Sequence, residues 1–312
     1  MSISFKEDHI SQIPALLMLE KLGYTYLTPD EALALRGGNL ANVLLEPVLR
    51  KQLAAINVVQ VSSMRTTVFS EQNITAGIDA LRNIPMDEGF MEASQTVYDL
   101  LTSGKTLEQI VDGDRKSFVM QYIDWKNPRN NVFHVTEEFA VSRTGMTDTY
   151  RPDIVLFVNG IPLCVIECKR PDVKDSIEQA ISQHLRNQKA DGIRSLYLYS
   201  TLLLAINRQE GSYATTATPE KFWARWREQF TDREEEARYR QELERVVNEP
   251  LLDDKLFGER FDYVHRNFED LYKQPVTPSV QDEYLYSLCR PERLLQLMYG
   301  FTLYDDGIKK VA

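Results

Sequence analysis

The stretch RPDIVLFVNGIPLCVIECKRP, residues 151–171, constrains the fold more than any other part of the 312-residue chain. Two runs of Ile, Val, Leu and Phe flank Asn159-Gly160, a dipeptide suited to a tight hairpin turn because both residues tolerate positive φ. The pattern predicts two adjacent buried strands. Charge is confined to their outer ends. Asp153 opens the first strand, and Glu167 and Lys169 close the second. A carboxylate beside such an apolar run is costly to bury without a partner. Glu167 and Lys169 are two apart and share a face of a regular strand.

Two carboxylates and an ammonium gathered at one sheet edge make a site for a hard divalent cation. Mg²⁺ takes oxygen ligands and commonly combines one or two carboxylates with water and substrate phosphate. Asp153 and Glu167 are the expected metal ligands, with the backbone carbonyl of Cys168 as a third. Lys169 is expected to orient a water or stabilise a pentacovalent phosphorus transition state. One metal or two would suit the same residues. The blander reading of such residues is a solvated strand end with a Glu167–Lys169 ion pair.

Strand parity sharpens the expectation. With a plain two-residue loop, Val158 pairs with Ile161 and Asp153 with Ile166. Glu167 would then point to the opposite face. A shared site therefore requires a one-residue correction. A three-residue loop over 158–160 with a G1 bulge would supply it. A bulge or sharp twist near Asp153 or Cys164 would serve equally.

Elsewhere the first hundred residues read as mostly helical, with amphipathic helices over 6–23, 30–36, 40–56, 72–82 and 94–101. Residues 118–125 and 131–143 read as strands around an Asn127-Pro128 turn. A helix is expected over 174–189, a core strand over 196–207, and charged helix from about 219. Two prolines, Pro275 and Pro278, precede a last helical stretch over 280–299. The order predicts an α/β fold: a mixed central sheet flanked by helices, with helical N-terminal and C-terminal additions. Residues 1–215 are expected to form the domain that carries the site, and 216–312 a helical linker region.

Composition is globular, 43% hydrophobic and 26% charged. No apolar run approaches the roughly 18 residues of a membrane span. The first residues lack the basic-then-apolar order of a secretory signal, so the cytoplasm is the expected compartment. Three cysteines, Cys164, Cys168 and Cys289, argue against a disulfide framework, and their spacing does not suit zinc. The net charge of −10 argues against nucleic acid as a partner. A local basic groove can nevertheless coexist with an acidic exterior. Arg143, Arg151, Lys169, Arg170 and Lys174 are the nearby cations, so DNA binding by this chain alone is expected to be weak and salt-sensitive. The SGKT of residues 103–106 resembles the end of a phosphate-binding loop, but Asp99 stands where the first Gly is required.

Residues 122–139, 151–171 and 177–188, with the earlier KLGYTYL (21–27) and NVLLEPVLRKQLAAIN (42–57), resemble the N-terminal nuclease domain of the type I restriction enzyme R subunit, in the PD-(D/E)xK superfamily. The similarity covers most of the first 230 residues. It implies Mg²⁺-dependent endonuclease cleavage of duplex DNA, in a complex with methyltransferase and specificity subunits. ATP would enter only through motor domains absent from this chain, whose last 40 or so residues would lead into the first of them. The resemblance makes Asp153, Glu167 and Lys169 catalytic. It places Gln183, Arg151 and Arg170 as DNA-binding or supporting residues. The family's following helix often carries Gln-x-x-x-Tyr; Gln183 matches, but Asn187 replaces the Tyr, so no tyrosine contact is expected. Many related nucleases place a Glu on the first helix. Here Gln12 aligns there, with Glu7 and Glu20 nearby, and all three are expected at the surface. His184, beside Gln183, is expected to be a partly buried or surface residue rather than a general base. Two other functions fit the same residues: a non-catalytic docking module for partner subunits, and a stand-alone repair or junction-resolving nuclease.

Overall fold

The computed structural model describes residues 11–62, 65–250, 255–266, 268, 274–305 and 308–311. The chain opens with α1 (Ile13–Lys21), β1 (Thr25–Leu27), α2 (Pro29–Ala34), α3 (Glu46–Ile56), the hairpin β2 (Val58–Ser62)–β3 (Arg65–Val68), α4 (Glu71–Arg82) and α5 (Phe90–Ser103). A second hairpin, β4 (Lys105–Val111)–β5 (Asp114–Met120), precedes β6 (Phe133–Glu137), the short strands β7 (Val141–Ser142) and β8 (Thr149–Tyr150), β9 (Ile154–Val158) and β10 (Ile161–Cys168). Next come α6 (Ser176–Asn187), α7 (Arg194–Tyr197), β11 (Leu202–Ile206) and β12 (Gly211–Ala214). The chain continues through α8 (Arg233–Val247), α9 (Val280–Cys289), α10 (Pro291–Gly300), β13 (Thr302–Asp305) and β14 (Ile308–Val311).

Six strands form one mixed sheet in the order β1-β6-β9-β10-β11-β12. The β1–β6 and β10–β11 pairs are parallel and the others antiparallel. Every residue of β9, β10 and β11 is buried, as expected for strands covered on both faces. Helix α6 covers one face at β10 and β11, while α1 packs against β6, α8 and α9. This is the α/β class that the sequence pattern predicts.

Local departures have physical causes. Residues 58–68 and 105–120 are hairpins outside the central sheet. In the second, Asp112 and Gly113 both take positive φ at the turn. Residues 103–106 close α5 and open β4, the reverse of the strand-loop-helix order a phosphate-binding loop needs. Residues 196–207 are divided between the end of α7 and β11 rather than forming one strand. Residues 280–300 are two helices because Pro291 starts α10, where its missing N–H is harmless. In the predicted first helix, residues 6–10 lie outside the described residues.

The Asn159-Gly160 loop is a plain two-residue turn, with Val158 opposite Ile161. Its two residues have φ of 52° and 84°, the signature of a type I′ turn. The three-residue loop is therefore not formed. The register instead shifts inside β10, between Pro162 and Cys164, so Leu163 is the extra residue. Pro162 has no N–H for the ladder. The Leu163 carbonyl turns to accept from the Thr201 N–H at 2.9 Å. Beyond this bulge Ile154 stands opposite Ile166, which brings Asp153 level with Glu167.

Candidate active site

Asp153 lies just before β9, and Glu167 is the penultimate residue of β10. The bulge puts both on one face of the sheet. Across the parallel ladder Glu167 stands beside Ala205, which packs under Ile177, Ala180 and Ile181 of α6. Asp153 Oδ2 accepts from the Cys168 N–H at 2.7 Å. The Lys169 Nζ lies 3.5 Å from the same oxygen and donates to the Cys168 carbonyl at 3.0 Å. The backbone continues the sheet here, since the Lys169 N–H donates to Ile206 at 2.9 Å.

Glu167 is fully buried. Burial first, and the neighbouring Asp153 carboxylate second, push its carboxyl well above the usual range, against the opposing pull of Lys169 and Arg186. Its two oxygens are bracketed by amides one helical turn apart on α6. Gln183 Nε2 donates to Oε2 at 2.5 Å, and Asn187 Nδ2 faces Oε1 at 3.5 Å. An open cleft of about 480 Å³ leads to this corner, lined by Lys169, Asp175, Glu178, Gln179, Gln183 and Arg186 among others.

The donor atoms are all oxygens: two carboxylates and the Cys168 carbonyl. No group of three or more His, Cys, Asp or Glu side chains poised for a metal occurs among the described residues. Two carboxylates and a backbone carbonyl are hard oxygen donors. A hard cation that keeps part of its water shell suits them. The Lys169 ammonium already rests against two of these three groups, Asp153 and the Cys168 carbonyl, so the pocket is one that accommodates positive charge.

Sequence comparison gives the family. A sequence model of the type I restriction enzyme R protein N terminus matches residues 4–222. The chain belongs to that family. Among relatives of the type I R protein, the MjaIXP endonuclease subunit named in Methanocaldococcus jannaschii is 27% identical over 228 residues, covering 70% of this chain and 20% of the relative. The MjaVIIIP endonuclease subunit named in the same organism is 30% identical over 175 residues, covering 55% of this chain and 15% of the relative. The HindI endonuclease subunit of Haemophilus influenzae is 29% identical over 206 residues, covering 64% of this chain and 18% of the relative. The chain thus spans about a fifth of the length of the curated relatives it matches.

In this type I R protein N-terminal chain, Asp153, Glu167, Lys169, the Cys168 carbonyl and Gln183 come together. Arg151 and Arg170 flank the corner but are tied to Glu138 and Asp172. Arg143 is held between Asp148 and Asp191. Gln12 corrects the expectation of a surface position. It is buried just before α1, and its Nε2 donates to the Asp153 carbonyl at 3.0 Å. Glu20 is half-buried on α1, and Glu7 lies outside the described residues. His184 is also more deeply placed than expected, wholly buried and held neutral by burial, with its pKa lowered to about 4. Sequence reasoning missed Asn187 and Tyr197 as neighbours of Glu167. The first had a signal, since Gln183 and Asn187 are four apart and share a helix face. Tyr197 comes from a separate element and had none. Buried Glu137 lies close in sequence space to the site but pairs with Ile154, so it faces away from Asp153 and holds Arg260 at 2.8 Å. No described helix is long and apolar enough to cross a membrane.

Proposed function

We infer that this chain is the Mg²⁺-dependent endonuclease module of a type I restriction R subunit, cleaving phosphodiester bonds of duplex DNA. The observation that carries the reading is the β10 bulge. It sets Asp153 level with Glu167 and leaves Lys169 and the Cys168 carbonyl at the same corner. Nothing in the fold requires two carboxylates and an ammonium to meet there, and burial of Glu167 beside Asp153 is unfavourable. Family membership and the endonuclease names of the relatives support the same reading.

Asp153, Glu167 and the Cys168 carbonyl would hold Mg²⁺, which when bound lowers the pKa of a water and screens phosphodiester charge. The chain's own groups do the rest. Asp153 is fixed by the Cys168 N–H and Glu167 by Gln183, so neither carboxylate needs to reorganise. Lys169, at the mouth of the cleft, places its ammonium where negative charge accumulates on a transferring phosphate. Arg186 on the cleft wall is positioned to meet a neighbouring phosphate.

The longer protein would work with methyltransferase and specificity subunits, and with ATP-driven motor domains beyond this chain. Its DNA cleavage should be lost in Asp153→Ala, Glu167→Ala and Lys169→Ala, whereas ATP hydrolysis should persist. Near-normal cleavage by the Glu167 variant would overturn the assignment.

A further inference from the structure

The nuclease reading leaves a chain of buried polar groups behind Glu167 without a role. Asn187, His184 and Tyr197 are all fully buried. Their hydrogen-bond directions can be worked out one by one. The Leu204 carbonyl lies 3.0 Å from His184 Nε2 and can only accept, so Nε2 carries the proton. The other ring nitrogen, Nδ1, is then an acceptor for a neutral imidazole. The Tyr197 hydroxyl, 3.0 Å away, must donate to it. That leaves the Tyr197 oxygen as an acceptor, and the Asn187 amide faces it.

The Asn187 amide is oriented independently. Arg186 donates to its Oδ1 at 3.4 Å, and a guanidinium cannot accept. Its Nδ2 is thereby turned inward, toward Glu167 Oε1 at 3.5 Å and the Tyr197 oxygen. The directions run one way, from Asn187 to Tyr197 to His184 to the Leu204 carbonyl. Leu204 itself sits on β11, and its neighbour Ala205 stands opposite Glu167. The far end of the chain is thus anchored on the strand that borders the carboxylate.

Resting on the nuclease reading, we propose that Asn187, Tyr197 and His184 are positioning residues that fix the pose of the Glu167 carboxylate for cation binding. Gln183 holds Oε2 from the cleft side; Asn187 restrains Oε1 from the buried side. Tyr197 and His184 keep the Asn187 amide from turning over. None of the three needs to touch substrate.

The test uses the 312-residue chain with Asn187→Leu, Tyr197→Phe and the double variant. Mn²⁺ affinity is measured by calorimetry, thermal unfolding without metal serves as the folding control, and metal-free crystals show the Glu167 pose. N187L should bind Mn²⁺ about tenfold more weakly, as expected for loss of a partner behind a ligand. Y197F should lose less, and the double variant should match N187L, because both act through one amide. In N187L crystals the Glu167 carboxylate should leave its wild-type pose. Unchanged affinity and pose in a folded N187L, or losses that simply add in the double variant, would overturn the network. Should the wild type take up no Mn²⁺, the metal reading fails by itself, and the Glu167 pose in N187L decides the network alone.

Discussion

The two ends of the β9–β10 hairpin both bury polar side chains, and they satisfy them in opposite ways. At the turn, Asn159 is completely matched. Its N–H donates to the Val132 carbonyl, and its Oδ1 accepts from the Val132 N–H, each at 2.9 Å. Its Nδ2 donates to the Tyr122 carbonyl at 3.0 Å and to Asn131 Oδ1 at 2.8 Å. Every group is neutral and paired, as a fold requires of buried polar atoms. At the open end, Asp153 and Glu167 lie side by side with the Lys169 ammonium against Asp153, and burial disfavours the charge on Glu167. The turn end serves stability. The open end carries an electrostatic cost that stability alone would not select, and which a bound cation would offset.

The largest expected contrast is catalytic. Alanine at Asp153, Glu167 or Lys169 should each lower plasmid cleavage by the longer protein by roughly 10³-fold or more, as for groups that act as one unit. Asn159→Ala should leave cleavage per folded molecule unchanged. If both ends proved equally necessary for cleavage, the division between them would be broken.

Next in size is the cost of disturbing the turn. Asn159→Ala removes the partner of several buried groups at a left-handed backbone position. It should lower the unfolding free energy by about 3 kcal/mol in urea titrations. The open end should respond in the opposite sense. Asp153→Asn keeps an oxygen for the Cys168 N–H and gains an amide to donate toward Glu167. In metal-free buffer it should raise stability by about 1 kcal/mol. A loss of stability there would mean that the carboxylate pair belongs to the scaffold.

A further contrast, one that pH can read, concerns another buried charge. Lys309 on β14 is wholly buried and donates to the Ser200 carbonyl and Thr201 Oγ1, both neutral groups, at 3.3 and 3.2 Å. Burial lowers its pKa from 10.5 to about 7. Between those values the unfolded chain binds the proton more readily, so stability should rise as pH climbs from 7 toward 10.5. Lys309→Met should therefore melt higher than wild type at pH 7, and the advantage should shrink as pH approaches 10.5. An advantage independent of pH would point to packing instead of charge.

The sequence made the turn end more legible than the site. Asn159-Gly160 between apolar runs predicts the hairpin, and parity shows that a shared site needs one extra residue. The location of that residue at Leu163 was hidden, because it depends on Pro162 lacking an N–H and on a Thr201 donor that lies just before β11, far along the chain. Asp153, Glu167, Lys169 and Gln183 could be read from local pattern and resemblance. Gln12 and Tyr197 could not, since each reaches the site through tertiary packing of a distant element. The hairpins at 58–68 and 105–120 were obscured by neighbouring helical periodicity, their short strands lying outside the central sheet.

In the proposed reading, Asp153, Glu167 and the Cys168 carbonyl form one cation site. Crystals of this chain soaked in Mn²⁺ and measured at the manganese absorption edge test it most directly. An anomalous peak is expected within coordination distance of all three groups, with the Lys169 ammonium displaced from the Cys168 carbonyl, and no such peak in Asp153→Ala. Saturating Mn²⁺ that left this corner empty, or a peak that persisted unchanged in Asp153→Ala, would contradict it.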